Sequence, residues 1–307
     1  MDGTEPVAEK HPEGLFVGLC TLDVIQLVDH VPGSDEKMTA HDQALAAGGP
    51  AANAAAVFSA LGGWARLLTG IGCHPLAQGA KADLQSLGVS VTDLAAELTE
   101  PPAVSSILVT AANGRRAVAS TNTGRHHLAP PDDLDALVAA GDIVQFDGHH
   151  MELAIATAET ARTLGRPTLL DGGSWKSGTE RLLSAIDVAL CSADFHPPGT
   201  RTTADTLEYL HDHGVTWAAV SRGEHPIAWS GPGGKGAVDV PPTRVVDTLG
   251  AGDALHGAFA YHWARGKRDN VDRFVTALAH AAEVASRSCT AFGTRSWLRG
   301  ELSEPPA

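Results

Sequence analysis

The sequence predicts an α/β protein: a parallel sheet covered by helices on both faces, with a smaller sheet outside it. Two observations carry that expectation. From Asp142 onward, short apolar strand patterns at 143–146, 168–171, 188–191 and 217–221 alternate with amphipathic helical patterns such as 151–164 and 203–213. Strands separated by helices of that length run in one direction and need each helix to cross back over the sheet. The first half also contains ribbon-like segments that do not suit a sheet buried on both faces.

Residues 15–22 read as a buried strand that ends at Asp23, whose carboxylate would point out of the sheet. Segment 24–45 mixes apolar positions (Val24, Ile25, Leu27, Val28) with turn residues around Pro32-Gly33-Ser34-Asp35, which suits an exposed ribbon. Gly48-Gly49-Pro50 leads into an Ala-rich helix at 51–61 that stops at Gly62-Gly63, with proline in the first turn where its missing N–H costs nothing. A strand at 67–71 and a helix at 75–87 follow. Residues 104–110 and 117–120 flank Ala112-Asn113-Gly114-Arg115, a hairpin turn by its Asn-Gly pair. With 24–45 they would form a small lid sheet. Ser230 to Gly236 reads as a short Gly-rich turn.

The expected organisation is one domain over 14–299, with the lid drawn from about 24–45 and 103–121. Tails at 1–13 and 300–307 are expected to be mobile. Composition narrows the partners. Lys plus Arg number 22 against 36 Asp plus Glu, a net charge of -14, which argues against a general nucleic-acid or anionic-membrane binder. An anionic substrate would need a local cationic pocket. Cys20, Cys73, Cys191 and Cys289 lie far apart in apolar stretches without a C-x-x-C pair, so all four are expected as buried thiols. No secretory signal or membrane-length apolar run is visible, and a cytoplasmic protein is expected.

The chemistry concentrates at Val246-Asp247-Thr248-Leu249-Gly250-Ala251-Gly252-Asp253, a glycine-flanked turn running into an apolar helix. Gly250 and Gly252 leave room for an anion near backbone N–H groups, and the positive end of the helix favours negative charge there. Asp253 would face that anion. A carboxylate beside a transferring phosphate is electrostatically awkward unless it takes a proton from an attacking hydroxyl. The plainer reading is a helix start at which Asp253 only caps the backbone.

Together, Gly48-Gly49 opening an early helix and Thr248-Leu249-Gly250-Ala251-Gly252-Asp253 opening a late one resemble the ribokinase, or PfkB, family of carbohydrate kinases over nearly the whole chain. The stretches 17–25 and 244–248 look most like the ketohexokinase branch. Pro50-Ala51-Ala52 and His256-Gly257-Ala258 are similar to sulfofructose kinase. The resemblance implies a three-layer α/β/α sandwich with a small β-sheet lid, a sugar held between lid and sheet edge, and ATP beside it. It puts Asp253 at the catalytic-base position and Gly250, Ala251 and Gly252 at the anion hole, with Arg116 neutralising charge during transfer. Sugar contacts map to Asp23, Asp35, Gly49, Asn53 and Asp253. The nucleotide side maps to Ser221, Gly223 and Glu224 together with Thr248, Gly250 and Gly252; Lys176 and 290–293 are weaker candidates. Mg²⁺ would bridge phosphate oxygens, K⁺ activation is a family-level expectation, and no residue is assigned as a metal ligand.

The implied reaction is phosphorylation of a hydroxymethyl group of a keto-sugar. A nucleoside or other small-molecule kinase on the same fold, and a catalytically silent sugar-binding regulator, are the alternatives. Several positions depart from the family pattern. Pro226 replaces a glycine, Ser192-Ala193-Asp194-Phe195 stands where the family has Asn-x-x-Glu, and Pro50 replaces a sugar-binding asparagine. His149 and His150 at a strand end admit substrate contact, metal binding or plain solvation. Apolar alternation on one face of the lid (Val24, Leu27 and Val28 among others) implies a homodimer formed through it.

Overall fold

The apolar run at 15–22 does not stay in one strand. In the computed structural model, which describes residues 11–122, 127–266 and 270–299, strand β1 (Glu13–Val17) ends before Gly18 and β2 (Thr21–Val28) starts in the other sheet. Gly18 permits the break, because a Cβ there would sit 2.1 Å from Asp147 Oδ1. Asp23 is therefore the third residue of a lid strand, not the end of a core strand, and Glu13 belongs to β1 instead of a tail. Residues 1–10 and 300–307, expected as tails, lie outside the described residues.

After β2 come β3 (Asp42–Gly48), helix α1 (Pro50–Ala60), β4 (Trp64–Thr69), α2 (Pro75–Ser86) and β5 (Ser90–Asp93). The Asn-Gly hairpin follows as β6 (Val104–Thr110) and β7 (Arg116–Ser120), with Gly114 at φ 64 and Thr110 O accepting from Gly114 N. The alternating half runs α3 (Leu134–Ala140), β8 (Ile143–Phe146), α4 (Met151–Thr163), β9 (Thr168–Gly172), α5 (Thr179–Leu183), β10 (Val188–Ser192), α6 (Thr203–Asp212) and β11 (Trp217–Arg222). Strands β12 (His225–Gly231) and β13 (Gly234–Val238), then α7 (Ala251–Ala264) and α8 (Val271–Ser288), complete it. The expected turn at 230–236 is thus mostly strand, with only Pro232 and Gly233 between β12 and β13.

The large sheet has the order β13-β12-β11-β10-β9-β8-β1-β4-β5, and only its β11-β12-β13 edge is antiparallel. Helices α1, α2, α7 and α8 cover one face; α3, α4, α5 and α6 cover the other. The chain builds outward from β1 in one direction and returns to build outward from β8 in the other, so the switch in strand order falls between neighbours β1 and β8. Ligands of open α/β sheets bind in the crevice at such a switch, beyond the strands' carboxyl ends.

The small sheet has the order β3-β2-β6-β7. Its inner face carries Ile25, Ile107 and Val109, packed with Leu27 and Ala44 against Leu249 and Phe292 of the main domain. Strand alternation puts Val24, Leu45 and Leu108 on the outer face. Leu27 points inward with Ile25, so Val24, Leu27 and Val28 do not form one apolar face as the sequence suggested.

Three of the four cysteines are buried, but Cys73, in the loop before α2, is exposed. No helix among the described residues is long and apolar enough to cross a membrane. Under α7 and α8 an aromatic cluster closes the core: Phe274 stacks on Trp217 at 4.7 Å and meets Phe259, Trp263 and Trp229 at 5.6 to 6.0 Å. Phe274 is fully buried. Phe274→Ala is expected to destabilise the protein by about 3–5 kcal/mol through lost transfer energy and the cavity left behind, read as a shift of the chemical-denaturation midpoint.

Candidate active site

The crevice between β1 and β8 is closed by one carboxylate. Asp147 follows β8 and is buried; its Oδ2 accepts from Leu19 N at 2.8 Å and Ala51 N at 3.1 Å, and its Oδ1 accepts from His149 N at 2.9 Å. Ala51 N is an amide of the first turn of α1, which has no hydrogen-bond partner inside the helix, so Asp147 caps α1 from another strand. Gly49, the residue before α1, is left-handed at φ 93, and a Cβ there would lie 2.3 Å from Leu19 O. Only glycine lets the chain turn into the helix that close to the β1–β2 connection.

Helix α1 is Ala-rich because α7 lies against it. A Cβ at Gly257 would fall 2.3 Å from Ala54 O, so small residues on both helices let their backbones approach. That contact puts Asn53 beside Asp253. Asn53 Nδ2 donates to Asp253 Oδ2 at 2.6 Å, while Asn53 Oδ1 accepts from Arg295 Nη1 at 2.9 Å. Arg295 also donates through Nη2 to Ala47 O and pairs through Nε with Asp83 at 3.3 Å. A cation on the oxygen side of the amide means that only its NH₂ can face the carboxylate. Arg295 and Asp83 were not singled out from the sequence; an arginine two residues beyond Gly293 was the available signal.

At the start of α7, Gly250 adopts φ 76 and no side chain caps the helix. Gly252 has open space where a Cβ would be, so its value is the bare approach it leaves above the helix end. Asp247 pins the preceding loop, accepting from Leu249 N at 2.8 Å and Gly293 N at 2.9 Å. Segment 290–293 therefore braces this loop. Arg116 on β7 reaches across from the lid, donating from Nη1 to Thr248 Oγ1 at 2.9 Å.

Burial pushes the Asp253 carboxyl up; the Asn53 hydrogen bond, the charge of His256 and, more weakly, Arg116 hold it down. Asp23 is also raised by burial, opposed by hydrogen bonds from Thr21 (2.6 Å) and Ser105 and raised further by the negative charge of Asp253. Asp23 fills the space that a Cβ on Gly48 would occupy.

Other expected residues fall elsewhere. Asp35 is exposed in the turn joining β2 to β3. That turn follows the Leu27–Asp42 rung, whereas Gly48 pairs with Thr21 at the opposite end of the hairpin, roughly 20 Å away at strand rise. Within one chain the hairpin thus carries Asp35 away from Asn53 and Asp253. Glu224 and Asp194 are exposed. Ser221 pairs with Ser192 where β11 and β10 end, and Gly223 adopts φ 61 in the two-residue turn to β12. Lys176 is not an ordinary surface lysine: its Nζ lies 3.4 Å from Asp147 O, beside Gly148.

His149 is partly buried, and burial lowers its pKa. His150 adopts left-handed φ 49 and lines a cavity of about 290 Å³ with Leu19, Cys20, Ile71, Ala103 and Asn122. Both its ring nitrogens are buried without a hydrogen-bond partner among the described residues. No three His, Cys, Asp or Glu side chains converge as a metal cage among the described residues.

A carboxylate held at the mouth of an uncapped helix N-terminus, with a guanidinium at its lip, can take a proton from a hydroxyl that attacks an anion bound on the helix amides. Known proteins share this framework. A sequence model described as pfkB family carbohydrate kinase matches residues 13–299. The chain is 29% identical over 257 residues to the ATP-dependent ribose-1-phosphate kinase of Halopiger xanaduensis, covering 81% of this chain and 84% of that protein. To mouse ketohexokinase it is 25% identical over 294 residues, covering 90% and 95%. The structure of Arabidopsis thaliana ribokinase complexed with ribose and ATP superposes with a TM-score of 0.74 at 21% identity, covering 94% of this chain and 99% of that one.

His150 makes stability depend on pH. Burial, the largest cause, lowers its pKa from 6.5 to about 4, so the unfolded chain takes up a proton at a higher pH than the folded one. The sign follows: the stability is fully present above 6.5 and is lost as pH falls toward 4. Because the residue as a whole is only partly buried, the loss is expected to be about 1–2 kcal/mol. His150→Leu should flatten that slope, measured by urea denaturation at pH 7 and pH 4.5.

Proposed function

Since the chain belongs to the pfkB family of carbohydrate kinases and is an ATP-dependent kinase of a sugar or nucleoside, we propose that it phosphorylates the hydroxymethyl group of a fructose-like keto-sugar, with Asp253 as general base. The observation that carries this reading is the 2.6 Å hydrogen bond from Asn53 Nδ2 to Asp253 Oδ2. It fixes a carboxylate at the glycine-led start of α7, where a hydroxyl can be deprotonated as it attacks.

In this scheme the substrate hydroxyl approaches between lid and sheet edge. Asp23, Gly49, Asn53 and His149 bind the sugar. The proton passes to Asp253 as the oxygen attacks the γ-phosphorus in line and ADP leaves. Charge growing on the transferred group is taken by the amides of Gly250, Ala251 and Gly252 and by Arg116. Ser221, Gly223, Glu224 and Thr248 flank the nucleotide. The bare N-terminus of α7 suits its phosphates, and with no carboxylate cage in the described residues, Mg²⁺ would be held chiefly by phosphate oxygens and water. Resemblance to the ketohexokinase branch at 17–25 and 244–248 favours a ketose, and free cysteines suit the cytoplasm.

The test is ADP release from Mg-ATP with fructose, tagatose, psicose, ribose, ribose 1-phosphate and adenosine. A ketohexose is expected to be the best acceptor; turnover with adenosine alone would replace the sugar by a nucleoside. Asp253→Asn should lower kcat by about 10²–10⁴-fold with the fold intact by circular dichroism. Retention of near-normal turnover would remove Asp253 as the base.

The same reading includes a homodimer through the lid. Leu45 is 61% exposed on an outer face shared with Val24 and Leu108, apolar surface that a second copy would cover. Light scattering is expected to give twice the chain mass, and Leu45→Glu to give monomers.

A further inference from the structure

We propose that His256 is a buried imidazolium that serves as the positioning residue of Asp253, holding that carboxylate in its proton-accepting form from within the core while Asp171 supplies the countercharge. The inference rests on Asp253 being the base.

His256 lies one helical turn beyond Asp253 on α7 and is 5% exposed. Its Nδ1 is 2.6 Å from Gly252 O and 3.4 Å from Asp171 Oδ2; its Nε2 is 2.9 Å from Leu190 O. Carbonyl oxygens only accept, and a neutral imidazole has a single N–H. Either neutral tautomer would leave a nitrogen lone pair against a carbonyl oxygen within 3 Å. The doubly protonated ring satisfies both contacts.

A buried cation also needs a counterion. Asp171, at the end of β9 and 6% exposed, is the carboxylate facing Nδ1. The remaining charged and titratable groups around this pair come from five directions. Asp253 shares α7, Asp147 follows β8, and Lys176 acts on Asp171 from the loop after β9. From β10 comes the Cys191 thiol, which burial holds well above its usual range and so keeps neutral. Arg116 acts on Asp253 from the lid.

Three carboxylates, Asp147, Asp171 and Asp253, thus approach one another at the carboxyl edge of the sheet. Burial pushes Asp171 up to about 6 and raises Asp253 as well, and the charge of His256 opposes both shifts. Without that cation, Asp253 would hold its proton to higher pH and be lost as a base in acidic solution. The ring touches neither reacting atom. Its effect is therefore on the pH dependence of turnover and not on the alkaline rate.

The test combines kinetics and NMR. In His256→Gln, which keeps a donor for Leu190 O, the acid limb of the kcat/KM profile is expected to move up by roughly one pH unit, with the alkaline plateau within about threefold of wild type. An unmoved limb overturns the proposal. NMR on wild-type protein with ¹⁵N-labelled histidine requires neither the variant to fold nor the enzyme to turn over. At pH 8, where ordinary exposed histidines are neutral, one ring should show two protonated nitrogens; its absence also overturns the proposal. Turnover by Asp253→Asn decides the base assignment separately, so the two failures are distinguishable.

Discussion

The hydrogen bonds of Asp147 are the constraint on which the crevice depends. Its two oxygens gather Leu19 N from the β1–β2 connection, Ala51 N from α1 and His149 N from the start of α4. Three segments distant in sequence end at one buried carboxylate, and each gives it an amide with no partner in its own element. Neutralising that charge by hydrogen bonds from fixed N–H groups is cheaper than leaving it uncompensated in the core. Glycines make the convergence sterically possible: Gly18 lies against the carboxylate, and Gly49 against Leu19 O. Once α1 is held there, Ala54 and Gly257 let α7 close on it, and the placement of Asn53 against Asp253 follows from that packing.

The site is acidic in an acidic chain, which at first conflicts with binding a polyphosphate. The conflict resolves by depth. Asp147, Asp171 and Asp253 lie toward the sheet, where their charges are met by backbone amides, by His256 and by the Asn53 amide, whose direction Arg295 sets. Arg116 and the uncapped amides of α7 lie on the outer side, where an anion would approach. Buried ionic networks of this kind add little net stability, since desolvation offsets most of the attraction. What they provide is a unique arrangement: an Asn53 turned the other way would set its NH₂ against Arg295 and its oxygen against Asp253.

The layered fold was legible in the sequence because strand and helix periods alternate so regularly after Asp142. The helix starts at Gly49 and Gly250 were legible because glycine and proline mark them. Element ends governed by packing were not. Gly18 reads as part of an apolar strand until Asp147 is seen behind it, and 230–236 reads as a turn because its glycines carry no apolar period, although Gly236 and Gly234 pair with Trp229 and Gly231 on β12. In the site, Asn53 was visible as a polar residue in a run of alanines. Arg295, Asp83, Asp147 and Asp171 were not assigned roles, because the contacts that build the site span long stretches of sequence: 36 positions from Asp83 to Ala47, 96 from Asp147 to Ala51 and 242 from Arg295 to Asn53. Asp35 is a different case. It was carried over by resemblance, whereas the hairpin register decides where it lies in one chain.

The lid is coupled to the loop before α7 by apolar contacts more than by polar ones. Ile25, Ile107 and Val109 on its inner face pack with Leu249 and Phe292, and Leu249 belongs to the loop that Asp247 pins in front of α7. Lifting the lid would expose those side chains and loosen the loop that precedes the anion-binding amides. The single Arg116–Thr248 hydrogen bond, being exposed, contributes little against such a motion. Burial of the apolar cluster therefore favours the closed lid and an ordered helix mouth together. On the proposed function, a sugar entering beneath the lid would disturb that cluster on its way to Asp253. On that reading the same contacts would also limit the access of water to the transferring phosphate.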